Sequence, residues 1–221
     1  MKDMTNYFNQ SAPINSTAGF VPLPLELDIT MKILTLAPQF YIRDTHGQQV
    51  GYIKQKLFRF KEAIDIFSND QKTTLRYKIA SDRVIDFSAN YHFISMRDGV
   101  IGRTKQHGLR SLWRTEFEIL DQTGTRFFIR LNNPMVQFIE GLLSMIPLLG
   151  DILNMLSGYF LNPTYTVTTL SGDEVATMKK LPALWDGKYE IRASQTVNER
   201  DSELIALSLL TLILMQRASD G

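Results

Sequence analysis

From Leu25 onward the chain alternates apolar and polar residues over short runs, and each run stops at a cluster of Asp, Asn, Ser or Gly. Period-two alternation places one side of a segment in a core and the other in water, as in a half-buried strand. The unit repeats. Phe40 to Arg43 meets Asp44-Thr45-His46-Gly47 and resumes as QQVGYIKQK. Ile64 to Phe67 meets Ser68-Asn69-Asp70-Gln71 and resumes as KTTLRYKIA. Tyr91 to Met96 meets Arg97-Asp98-Gly99, Glu116 to Leu120 meets Asp121-Gln122-Thr123-Gly124, and Tyr165 to Leu170 meets Ser171-Gly172-Asp173. Gly, Asp and Asn tolerate the backbone angles of a tight hairpin turn. A further turn at Asp186-Gly187 leads into Tyr189 to Ala193. The pattern predicts an antiparallel meander of roughly ten to twelve strands. A sheet that long tends to close, because closure removes its exposed edges. No strand–helix alternation is visible, which argues against a parallel sheet.

Two stretches break the alternation. The first is Asp201 to Arg217, DSELIALSLLTLILMQR, where every residue from Leu204 to Met215 is apolar except Ser208 and Thr211. Those hydroxyls can bond the carbonyl one turn back. A helix apolar all round has to be surrounded. Its twelve apolar-run residues span about 18 Å, short of the roughly 30 Å of a bilayer core. The run therefore predicts a helix enclosed by the sheet, with caps and acids at Asn198 to Asp201 and Arg217 at its end.

The second is NNPMVQFIEGLLSMIPLLGDILNMLSGYFLNP, bracketed by Asn-Pro pairs at 133–134 and 162–163. Met135, Phe138, Ile139, Leu142, Met145, Leu149, Ile152, Leu153, Leu156 and Phe160 recur with helical period, and Pro147 interrupts them. This predicts two short amphipathic helices meeting near Pro147 to Gly150. Their apolar face has three uses: closing one end of the barrel, contacting a protein partner or a second copy, or entering a membrane interface. The contact residues would be Phe138, Leu142, Leu149 and Leu153. Spanning is disfavoured, since Asp151 at mid-bilayer costs about 2.5–3.5 kcal/mol. The expected organisation is thus a flexible segment over 1–24 and one barrel domain over 25–217, with a helical insertion at 134–162.

Hairpins in this order, closed by one all-round apolar C-terminal helix, resemble the tubby C-terminal-like superfamily, and within it the LURP-one-related family. The resemblance is carried by FYIRDTHGQQVGYIKQKLFRFKEAIDIF, by FISMRDGVIGRTKQ with RSLWRTEFEIL, and by ERDSELIALSLLTLIL. It implies a mainly β fold: a closed antiparallel barrel of about twelve strands around a buried C-terminal helix. Tubby proteins bind phosphoinositides through basic residues, and the related scramblases are associated with lipid movement. The insertion at 134–162 departs from the family pattern.

Composition adds mostly exclusions. The 221 residues carry a net charge of +1 and no cysteine. Nothing global points to nucleic acid, and thiolate chemistry is excluded. His46, His92 and His107 lack partners at ligand spacing, so neither a metal nor another cofactor is expected. No nucleophile elbow, Walker A or G-x-G-x-x-G occurs, so no catalytic residue is nominated. The N-terminus lacks a secretory pattern, which makes a cytoplasmic protein the expectation, with peripheral membrane association. The basic residues are the stronger lead. Lys54 and Lys56 share one strand face, as do Arg103 and Lys105. Two such strands side by side would gather enough positive charge for an anionic head group, although exposed strands also carry Lys and Arg simply for solubility. The expectation is a non-enzymatic module that binds an anionic lipid surface or a protein partner. The alternative is a scramblase-like lipid handler that uses the apolar stretch at 134–160.

Overall fold

Each predicted hairpin forms, and together they close on themselves. A computed structural model of the chain describes residues 20–32, 37–54, 63–82, 90–107, 116–132, 164–183 and 187–219. Twelve strands follow in order: β1 (Leu27–Lys32), β2 (Gln39–Arg43), β3 (Gln49–Lys54), β4 (Ile64–Phe67), β5 (Leu75–Ser81), β6 (Asn90–Ser95), β7 (Gly99–His107), β8 (Glu116–Leu120), β9 (Thr125–Asn132), β10 (Thr164–Thr169), β11 (Glu174–Leu181) and β12 (Gly187–Ala193). Every sequential pair is antiparallel, and β1 pairs with β12 to close the barrel, with Leu27 opposite Ile191 and Met31 opposite Gly187. One helix, α1 (Glu199–Ser219), follows β12.

The alternation sets the inside. Leu27, Ile29, Ile42, Ile53, Ile66, Phe93, Ile119, Ile129, Val167 and Ile191 are at most 1 % exposed and belong to one continuous core. In α1, each residue from Leu204 to Leu214 is at most 2 % exposed, so the helix is buried on all sides. Ser208 and Thr211 donate to the carbonyls of Leu204 and Leu207, each at 2.7 Å. Asn198 caps the helix by accepting from the Asp201 N–H at 2.8 Å. Gly102 on β7 lets the helix approach. A Cβ there would lie 2.5 Å from the Leu204 side chain and 2.4 Å from the Leu120 carbonyl oxygen. No helix among the described residues is long and apolar enough to cross a membrane.

The topology separates two ends. The five tight turns that join β2 to β3, β4 to β5, β6 to β7, β8 to β9 and β10 to β11 all lie at the end where α1 begins. Asp44 shows how such a turn is held: its Oδ1 accepts the N–H groups of His46 and Gln48, both at 2.9 Å, and Gly47 takes a φ of 78°. We call this the turn end. At the opposite end, the rim end, β9 stops at Asn132 and β10 starts opposite it at Thr164. The helices expected between them, with Phe138, Leu142, Leu149 and Leu153, lie outside the described residues. Part of the expected N-terminal lead-in is packed: Leu23 is 1 % exposed, and Phe20 meets the Tyr77 ring edge-on at 5.5 Å. Its apolar residues find a core that only the closed barrel provides.

Candidate functional site

At the rim end, charge collects on the outer wall. Lys32 ends β1, Lys54 ends β3, Lys179 lies near the end of β11 and Lys188 near the start of β12; all four are exposed. These strands are successive neighbours, β11-β12-β1-β2-β3. Lys188 sits opposite Thr30, and Lys54 opposite Gln39, which in turn faces Lys32. Lys32 also lies 5.0 Å above the Tyr41 ring, and Tyr41 meets Tyr52 edge-on. Lys54, Lys179 and Lys188 make no ion pair among the described residues. The carboxylates on this wall share a rung with Lys179, Glu190 opposite it and Asp28 opposite Glu190, and both pair with Arg192, at 3.4 and 2.6 Å.

The four residues nominated from sequence separate. Lys54 belongs to this lysine arc. Lys56 lies outside the described residues. Arg103 and Lys105 are both exposed on β7, opposite His92 and Asn90 of β6 and Leu120 and Glu118 of β8. Three strands, β4 to β6, stand between β3 and β7, so the two basic strands are not side by side. The lysine nearest to Lys54 in register is instead Lys32, across Gln39 of β2; Lys188 and Lys179 continue the series on β12 and β11, the next strands round the wall. Their identity as surface lysines at strand ends was readable. Their adjacency follows from closure, which sequence separation hides.

At the turn end, charge is used differently. Glu203, in the first turns of α1, is fully buried. Tyr77 on β5 donates its hydroxyl to Glu203 Oε1 at 2.5 Å and accepts the Leu23 N–H at 3.2 Å. Among the described residues Glu203 Oε2 has no hydrogen-bond partner, and the Arg97 guanidinium is 3.6 Å away. Burial pushes the Glu203 carboxyl above the ordinary carboxylate range; the Tyr77 hydrogen bond and Arg97 offset this only in part. Burial, together with the neighbouring Glu203 charge, raises the Tyr77 phenol as well. Arg97 also pairs with Asp98 at 2.8 Å and Glu199 at 2.9 Å, and it lies 4.9 Å above the Phe20 ring. Arg126 bridges Asp121 and Asp201. Each of these arginines ties α1 to a hairpin turn, so the cluster is a structural clasp.

Two open hollows flank the connection from β12 to α1. One, of about 640 Å³, is lined by Val21, Pro24, Asp44, His46 and Val197 among others; the second, of about 720 Å³, includes Arg126, Thr169, Asn198 and Asp201. Two of their carboxylates are engaged, Asp44 by its turn and Asp201 by Arg126. His46 sits in the β2–β3 turn, and His92 lies on β6, where burial lowers its pKa. Among the described residues, no group of three or more His, Asp or Glu is arranged to hold a metal ion. Comparison with protein-family models, with curated proteins and with solved structures gave no match.

Proposed function

We propose that the protein is a non-catalytic binding module that docks on membranes rich in anionic phospholipid, through the lysine arc of β11, β12, β1 and β3. The observation that carries this is the adjacency of Lys32, Lys54, Lys179 and Lys188 at one rim, with Lys54, Lys179 and Lys188 free of ion pairs among the described residues. A lysine near an anionic surface contributes about 1 kcal/mol, and several together make a usable affinity. The resemblance to tubby-like barrels supports the same reading.

The test is sedimentation of the purified chain with vesicles of phosphatidylcholine, with and without phosphatidylserine. Binding should require phosphatidylserine and weaken with salt. The triple variant Lys54→Glu, Lys179→Glu, Lys188→Glu should lose roughly 3 kcal/mol, about a hundredfold in apparent affinity. Binding that ignores phosphatidylserine, or a triple variant that binds as the parent does, sinks the proposal.

A further inference from the structure

The charge of the barrel is sorted along its axis. At the turn end acids predominate; Arg97 and Arg126 are engaged by carboxylates such as Asp98 and Asp121, Arg76 by the carbonyls of Val21 and Val50, and Lys72 lies over the Phe67 ring. At the rim end, among the described residues, the exposed charges at the strand ends of the β11-to-β3 wall are lysines. The two groups are separated by the length of the strands. The wall strands run from five to eight residues, which at about 3.3 Å per residue and a tilt of roughly 40° to the axis places them about 13–20 Å apart. Electrostatic attraction to a bilayer decays over a Debye length of about 8 Å at physiological salt.

We infer that the protein docks end-on, with the lysine rim leading and the turn end held away from the membrane. This rests on the proposed lipid-surface function and specifies its geometry. Lying on its side, the barrel would bring acids of the turn end within a Debye length of the phospholipid charge, and their repulsion would cancel much of the lysine attraction. Standing on the rim, it keeps those acids about two Debye lengths away, where they are screened. The same orientation points the C-terminus of α1 at the membrane. It leaves Phe20 to Leu25, with the Tyr77–Glu203 clasp beneath them, facing the aqueous phase.

The chain has no cysteine, so a single introduced one takes a label at one place only. Ala183→Cys sits on the exposed stretch after β11 at the rim, and Gln71→Cys is exposed in the β4–β5 turn. Each carries an environment-sensitive fluorophore and is mixed with phosphatidylcholine–phosphatidylserine vesicles containing a lipid-borne quencher. Retained sedimentation and an unchanged thermal transition show that the labelled chains are intact. End-on docking predicts quenching and a blue shift at position 183, with neither at position 71. Equal quenching at both positions, or quenching at position 71 alone, overturns the orientation while leaving lipid binding standing. Loss of vesicle binding by the unlabelled parent removes the functional reading itself, so the two failures are distinguishable. As a second arm, Asp121→Asn should leave vesicle affinity within twofold, because a screened charge contributes little; a tenfold gain would place the turn end near the surface and refute end-on docking.

Discussion

At the turn end, Arg97 and Arg126 each hold two or more carboxylates and fasten α1 to the β6–β7 and β8–β9 hairpins. At the rim end, Lys54, Lys179 and Lys188 face solvent with no carboxylate in ion-pair range among the described residues. The cations differ in type as well as in use. Arginine presents a planar fork that engages several carboxylates at once, whereas lysine is a compact, strongly hydrated charge on a flexible stem. The turn end uses its arginines to hold the helix, whereas the β11-to-β3 wall of the rim leaves lysines available; elsewhere on the rim Arg130 pairs with Glu116 at 2.8 Å. That contrast directs the search for function to the rim, even though the most perturbed titratable groups lie at the turn end. Perturbed groups mark functional sites only in part, since structural networks perturb pKa values too.

The largest expected effect removes what both ends share. A chain stopped after Asn198 lacks α1, whose buried leucines and isoleucines at roughly 1.5–3 kcal/mol each exceed the net stability of an ordinary domain. Such a chain should show no cooperative thermal transition by circular dichroism. A sharp transition would mean that the strands close without the helix. Next, Tyr77→Phe removes one hydroxyl from the clasp and leaves the Leu23 N–H and the Glu203 carboxylate less satisfied. Stability to urea should fall by about 1–3 kcal/mol, with vesicle binding unchanged. The lysine triple variant should behave in the opposite way, keeping its urea midpoint to within about 0.5 kcal/mol while losing vesicles. Should both variants lose both properties, the separation of the two ends fails.

The smallest effect concerns pH. Glu203 faces Tyr77 from β5, Arg97 and Asp98 from the β6–β7 turn, and Arg200 of its own helix. Its carboxyl is raised in the folded state, so its contribution to stability is fully present below the unfolded carboxylate value and is lost as pH rises through the folded one. Glu203→Gln should remove that fall. Subtracting the variant's stability-against-pH curve from the parent's should show a decline with rising pH just above the usual carboxylate range. A difference that rises with pH would mean that Arg97 outweighs burial.

Local patterning determined the elements. Alternation and turn chemistry located all five tight hairpins, because each turn, such as Asp44 to Gly47, is stabilised by its own neighbours. The run from Leu204 to Met215 declared a buried helix through its lack of any polar face, and the Ser208 and Thr211 bonds need only the preceding turn. What the sequence left open depends on residues far apart along the chain. Lys32 comes near Lys188 only because β1 pairs with β12, residues 156 apart along the chain such as Met31 and Gly187 lying opposite each other. Glu203 is reached by Tyr77 only because α1 threads the barrel; along the chain the two are 126 residues apart. The notion of adjacent basic strands failed at Lys54 and Arg103 for the same reason: strand faces are local, but neighbours around a closed sheet are set by its topology. Alternation and turn chemistry act within a few residues, and so the chain could state its strands and its helix. Closure acts between the two ends of the sheet, and so only the folded barrel could assemble the lysine rim.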